Sequence, residues 1–206
     1  LQVGNAFLGD INQTAHRQIR GVTKIDKRYY DKMLGENDGG QPQAFNANHW
    51  LQQSGRSHMT RTLDGTARAL LSDSYKRIDN EVIAQATLPT LVNTAGMVPL
   101  QNVLTEDRMN MKFINPDLSL RTPDGKGEIH PGIHISNSEV GGGRFKVEGF
   151  FFRSFCYNGC VFGRVDSGMS YGRTHLGGKL DAGILSAETV QAEQDLMSGV
   201  TKDIVS

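Results

Sequence analysis

At 206 residues, 37% of them hydrophobic and 21% charged, the chain has the composition of a folded globular protein, not a disordered one, and it is long enough for one sizeable core. Its formal net charge is zero and no apolar run approaches the roughly 18 to 20 residues that span a bilayer, so no membrane partner is expected. No basic-then-apolar stretch opens the chain, and the two cysteines, Cys156 and Cys160, are too close together to staple distant segments; a cytoplasmic location is expected.

In chain order, Ala15 to Ile19 and Asp26 to Leu34 read as short helices, with Asp26 as N-cap and Gly35 as stop. Residues 36–43, with Gly39, Gly40 and Pro42, read as a loop, and Phe45 to Gln53 as a further helix packed by its aromatics. His58 to Leu63, Asp64-Gly65 and Thr66 to Ser72 form the strongest hairpin signal, because Asp-Gly suits the positive φ values of a type I′ turn. Ile78 to Ala95 is the longest expected helix, capped by Asp79 or Asn80 and kinked by Pro89. Val98 to Leu104 and Arg108 to Ile114 pair as a second hairpin, with Met109, Met111 and Phe113 on one face at the strand period of two. Ile129 to Ile135 and Arg144 to Cys156 are further strands, and Ala187 to Met197 is a terminal helix. The fold class is α+β: antiparallel β-hairpins packed on a kinked central helix, with short N-terminal helices and a C-terminal helix. We expect a single domain, 1–206, in which a helical N-terminal segment (1–55) precedes a hairpin and helix core (56–180) and an acidic helix and tail (181–206).

Charge is uneven along this neutral chain. Basic residues gather at Arg17 to Lys32, at Arg56 to Arg77 and at Arg144 to Lys179, while the tail from Asp181 to Asp203 is acidic. A basic face can therefore be hidden by a neutral total, although the same residues also suit solvated flanks. Ser72 to Arg77 places hydroxyls, Tyr75 and the Lys76-Arg77 pair at a junction of strand and helix, a pattern suited to holding a phosphate and stacking a base. Asp73 and Asp79 argue there for a capping and turn motif instead.

The loop Ser136, Asn137, Ser138, Glu139, Gly141, Gly142 and Gly143 offers donors, a carboxylate and a backbone that a ligand can approach closely, with Arg144 and Lys146 as its charge donors. A simple connection between strands explains it equally well. Glu128, His130 and His134 alternate on one strand face, but Pro131 and Gly132 interrupt a ligand spacing, so no metal is expected, nor any other cofactor. Cys156 and Cys160 match neither a redox pair nor half of a zinc site and read as buried thiols. Arg173-Thr174-His175, close to Tyr171, is a further candidate contact to phosphate or base.

Several segments resemble a phage and plasmid family, domain of unknown function number 932: Tyr29 to Leu34, Asn48 to Leu51, Arg68 to Asn80, Ile135 to Gly141 and Cys156 to Gly159, with Arg173 to His175 as its basic-histidine motif. The resemblance implies a protein of mobile elements that handles nucleic acid, loosely similar to the strand-annealing proteins of phages. The expected function is that of a phage- or plasmid-encoded nucleic-acid-binding protein, with single-stranded DNA as the favoured partner, annealing or recombination as the role, and a homo-oligomeric state. Phosphate contacts are expected from Arg56, Arg61, Arg68, Lys76, Arg77, Arg144, Lys146, Arg153 and Arg173, with Tyr75, Trp50 or Tyr171 available to stack bases. The alternative is a non-enzymatic interaction protein that self-assembles through strand edges and opposed basic and acidic faces. Six histidines could act as general bases, yet the sequence identifies a partner for none of them, so an enzyme is the less favoured class.

Overall fold

A computed structural model describes residues 2–3, 6–7, 10–35, 41–93, 96–121, 127–153, 160–164, 170–173, 195 and 199. The chain divides into two compact units, the first built on Leu1–Tyr75 and the second on Lys76–His175. The division follows Tyr75, so the first hairpin groups with the N-terminal helices and not with the later strands, whereas the sequence-based expectation of a single domain counts that hairpin with the core at 56–180. Among the described residues no helix is long and apolar enough to cross a membrane.

The first unit holds a short pair of strands, β1 (Gln2–Val3) and β2 (Ala6–Phe7), then three helices, α1 (Gln13–Thr23), α2 (Lys27–Leu34) and α3 (Gln41–Gln53), and the hairpin β3 (His58–Leu63) and β4 (Thr66–Ser72). Asn12 caps α1 by accepting from the Ala15 amide at 2.9 Å, and Asp26 caps α2 by accepting from Arg28 and Tyr29. Helix α3 begins earlier than the glycines and Pro42 imply. Pro42 stands in its first turn, where the missing N–H costs no helical bond. The hairpin turns on Asp64 and Gly65 with φ of 48° and 78°, the left-handed pair that a type I′ turn demands.

Ile19, Tyr30, Ala47 and Leu70 form the apolar centre of this unit, with Ile11, Val22, Ile25 and Leu51 packed around them. The outer edge of β4 is satisfied within the unit. Asn12 donates to the Ala67 carbonyl, Ala67 donates to that of Asp10, and the Leu70 amide donates to Gln18 Oε1 at 2.8 Å.

The second unit opens with α4 (Asn80–Asn93), continues with β5 (Val98–Leu104), β6 (Met109–Ile114), β7 (Leu120–Arg121), β8 (Glu128–Asn137) and β9 (Phe145–Arg153), and includes β10 (Cys160–Arg164) and β11 (Ser170–Arg173). The sheet is antiparallel in the order β10-β9-β8-β6-β5, with β11 also on β9 and β7 also on β8. Strands β7, β10 and β11 have no counterpart in the sequence-based expectation. The expected terminal helix Ala187–Met197 lies outside the described residues except for Asp195, which is helical.

One face of the sheet carries Met109, Met111, Phe113, Ile133, Ile135, Phe145 and Val147, and α4 covers it with Ile83, Ala86 and Leu91. This is the α+β arrangement of hairpins on a central helix that the period-two pattern of Met109, Met111 and Phe113 predicts. Pro89 lies inside α4, as expected. Gly132 is required where β8 runs between β6 and β9: a Cβ there would stand 2.6 Å from the Phe113 carbonyl oxygen and 2.7 Å from the Phe150 ring.

Candidate functional site

Strand alternation fixes what the sheet shows on the side away from α4. With the odd-numbered residues of β6, β8 and β9 in the core, the even-numbered ones line the opposite face. The ladder aligns them in two rows. Gln101, Lys112, His134, Glu148 and Ser170 stand opposite one another across five strands, and beside them run Val103, Asn110, Ser136, Lys146 and Gly172. Asn110, Lys112, His134, Ser136, Lys146 and Glu148 are all half-buried.

Several of these side chains engage one another. His134 Nε2 lies 3.2 Å from Asn110 Oδ1, its Nδ1 lies 3.9 Å from Glu148 Oε2, and Lys146 Nζ approaches Glu148 Oε1 at 3.3 Å. Burial lowers the His134 pKa from its ordinary 6.5, the Lys112 and Lys146 ammonium groups add to that, and Glu148 opposes it. His134 is thus held toward its neutral form, and the two rows together carry Lys112, Lys146 and Glu148, one cation more than the single carboxylate.

Two arginines extend this face at the end of the sheet where β6 and β9 begin. Arg144 lies over Gly172, where a Cβ would stand 3.1 Å from its Cζ, and Gly172 shares a ladder position with Lys146. The guanidinium therefore rests on the side of the sheet that Lys146 occupies. Arg108 donates to the Gly142 carbonyl oxygen and lies beside Gly143. Both arginines are exposed. Arg173 pairs with Phe145 at the same end of the sheet.

The loop 136–143 splits into two functions. Asn137 Nδ2 donates to the Ile78 carbonyl at 3.0 Å and to Asn80 Oδ1 at 2.9 Å, and Glu139 Oε1 accepts from the Asn80 amide at 2.8 Å. Ser138, fully buried, accepts from the Gly142 amide. Asn137 and Glu139 fasten α4 to the sheet while Ser138 closes the loop on itself, and Glu139 supplies the carboxylate favoured at a helix N-terminus. What the loop presents to solvent is the glycine run Gly141 to Gly143 and Arg144, with Arg108 alongside.

The other expected contacts belong to other elements. Tyr75 is only 7% exposed, so a ring read from the sequence as a stacking platform is buried. Arg77 is held by Asp79, and that hydrogen bond raises the guanidinium pKa further. Lys76 is half-buried. Arg61 and Arg68 lie half-buried in the β3–β4 hairpin, and Arg56 and Trp50 are exposed at the C-terminal end of α3. Arg153 falls by alternation on the α4 side of β9, the reverse of the side that Lys146 occupies. Tyr171 and Arg173 stand on β11, and Cys160 begins β10; Cys156 lies outside the described residues.

Glu128, His130 and His134 do share one strand face, but four residues of strand separate the histidines by about 13 Å. Among the described residues no group of three His, Cys, Asp or Glu is placed to hold a metal ion. His130 is buried against Phe152 with its Nδ1 lacking a hydrogen-bond partner, and its Nε2 lies 3.8 Å from Glu128.

Sequence reasoning missed Arg108, Lys112 and Asn110 as members of this surface. The signal was present: once Met109, Met111 and Phe113 face the core, the residues between them must face the other way.

Two imidazoles make stability depend on pH. His16 Nδ1 meets the Tyr30 hydroxyl at 2.8 Å; burial lowers the histidine against the opposing pull of Asp31 and pushes the buried Tyr30 phenol up to about 12. His134 is lowered likewise. A histidine with a depressed folded pKa stabilises fully above its unfolded value of 6.5 and loses that contribution as pH falls toward the folded value. The unfolding midpoint should therefore drop on going from about pH 7 to about pH 5, and His16→Gln/His134→Gln should flatten part of that drop. A variant profile parallel to wild type would assign the acid sensitivity to other groups.

No family model, curated protein or solved structure matches the chain.

Proposed function

We propose that the protein binds nucleic acid, with single strands favoured, across the face of the second unit's sheet that α4 leaves uncovered, and that it does so in the service of a phage or plasmid. The observation that carries this reading is the convergence of Arg108 and Lys112 from β6 and its turn with Arg144 and Lys146 from β9 on one side of one sheet. Strands spaced about 4.8 Å apart set these cations at intervals that a flexible sugar-phosphate backbone can follow. Arginine and lysine supply charge-assisted bonds to phosphate, while Asn110 and Ser136 offer neutral donors between them. The resemblance of Arg68 to Asn80 and of Ile135 to Gly141 to the phage and plasmid family fits the same role.

The test is fluorescence anisotropy of the full chain with labelled single-stranded and duplex oligonucleotides over a salt series. Binding should tolerate changes of sequence, and log K should fall against log salt with a slope of about −2 to −3 for single strands, as three or four phosphate contacts require. Absence of binding at low salt would overturn the proposal.

A further inference from the structure

Six lysines and arginines crowd positions 17–32, and the face of the sheet uses none of them. Among the described residues only Lys27 of these six is paired with a carboxylate, that of Asp31. Lys24, Arg28 and Lys32 are exposed without such a partner, and the Asp26 carboxylate is engaged by the Arg28 and Tyr29 amides. Two local choices run against helix chemistry. The first turn of α2 holds Lys27 and Arg28 and no acid, cations at the positive end of the macrodipole. Lys24 adopts φ 59°, a conformation that helix ends usually give to glycine or asparagine. Departures of this kind from local rules mark functional positions.

Helices α2 and α3 are joined by residues 35–40 alone, and so short a connection makes antiparallel neighbours. They touch where Asn46 donates to Met33 Sδ at 3.6 Å. Tyr29 precedes Met33 by one turn and Trp50 follows Asn46 by one, so both step toward the same end of the pair, the start of α2 and the close of α3. Tyr29 is 52% and Trp50 50% exposed, and His49 braces the indole with ring centroids 5.3 Å apart. Lys24 stands just before that end of α2 and exposed Arg56 just beyond that end of α3. Arg28 and Lys32 share one stripe of α2, about 6 Å apart along its axis, and Tyr29 lies between that stripe and the buried Met33.

We infer that this end of the first unit is a second contact for single-stranded nucleic acid, with bases stacked on Tyr29 and Trp50 and phosphates held by Lys24, Arg28, Lys32 and Arg56. The partner is taken from the reading above, but the site is a different one and supplies what the lysines, arginines, Asn110 and Ser136 of the sheet do not, exposed rings on which bases can stack. Cations beside exposed aromatics are the combination that holds single strands without reading their sequence. Four cations that no carboxylate answers complement a polyanion. On α3 the exposed neighbours of Trp50 are Asn48, His49, Gln52 and Gln53, a polar setting unlike the apolar helix face that beds into a lipid surface.

Trp50 is the single tryptophan of the chain, so its emission reports this site alone. A short unlabelled oligothymidylate added to the full chain at low salt should quench that emission saturably, and should do the same in Arg108→Ala/Lys112→Ala/Arg144→Ala, whose sheet has lost its cations. Tyr29→Ala should weaken the quenching affinity about tenfold, as the loss of one stacked base requires. Arg28→Ala/Lys32→Ala should take about 1.4 from the log–log salt slope of the quenching, with an unchanged far-ultraviolet circular dichroism spectrum. No quenching, quenching lost with the sheet cations, or quenching indifferent to Arg28→Ala/Lys32→Ala would each overturn the inference. Anisotropy of a labelled strand, which does not depend on Trp50, then shows whether binding at the sheet stands without it. A blue shift of Trp50 with phosphatidylglycerol vesicles, in place of quenching by the strand, would assign this surface to a membrane and overturn the inference as well.

Discussion

Asn137→Ala should lower the stability of the second unit by about 3 kcal/mol, the sum of a buried carbonyl deprived of its donor and the space left by the missing amide. Asn137 is 2% exposed at the end of β8, and its Nδ2 bonds both the Ile78 carbonyl and Asn80 Oδ1 at the start of α4. Ile78 is itself buried, so its carbonyl gains no water when the amide goes. Glu139→Gln keeps an acceptor for the Asn80 amide but removes the negative charge from the helix N-terminus, and should cost less, about 0.5 to 1 kcal/mol. Urea unfolding of both variants beside Ser119→Ala, an exposed substitution expected within about 0.5 kcal/mol of wild type, measures the contrast. Equal midpoints for Asn137→Ala and Ser119→Ala would mean that α4 is held to the sheet by its apolar face alone.

The same residues mark where the sequence stops being legible. Local signals survive: Asp26 and Gly35 bound α2, Asp64-Gly65 turns the first hairpin, and alternation at Met109, Met111 and Phe113 orients β6. These depend on neighbours within a few positions. The role of the loop 136–143 does not, because Asn137 and Glu139 find their partners 57 to 59 residues away. Read in isolation, a run of hydroxyls, an amide, a carboxylate and glycines has the chemistry of a binding loop. The fold commits its first half to internal hydrogen bonds and leaves the glycines and Arg144 to solvent. Tyr75 is the converse case: its polar neighbours suggest an exposed ring, yet it is buried, and only tertiary packing could reveal that. The basic face was half legible, since Arg144 and Lys146 are close in sequence, whereas Arg108 and Lys112 join them only through the pairing of β6 with β8 and of β8 with β9.

That pairing dictates which cations should govern binding. Arg108→Ala/Lys112→Ala/Arg144→Ala removes three charges from the face while leaving the Lys146–Glu148 pair intact. Removing one phosphate-binding cation from a single-strand site takes about 0.7 from the log–log salt slope, so the triple variant should forfeit roughly 2 of it. Its affinity at low salt should fall by roughly two orders of magnitude. Arg77→Ala is the informative contrast: its guanidinium is already matched by Asp79, so its removal should leave the slope unchanged. His134 adds a direction. Phosphate at this face favours the imidazolium that burial, Lys112 and Lys146 otherwise hold down, so affinity should rise as pH falls below 6.5 and His134→Gln should remove that rise. A triple variant that binds like wild type, or an Arg77→Ala protein without salt dependence, would move the interface away from the sheet and back to the junction of strand and helix at Ser72 to Arg77.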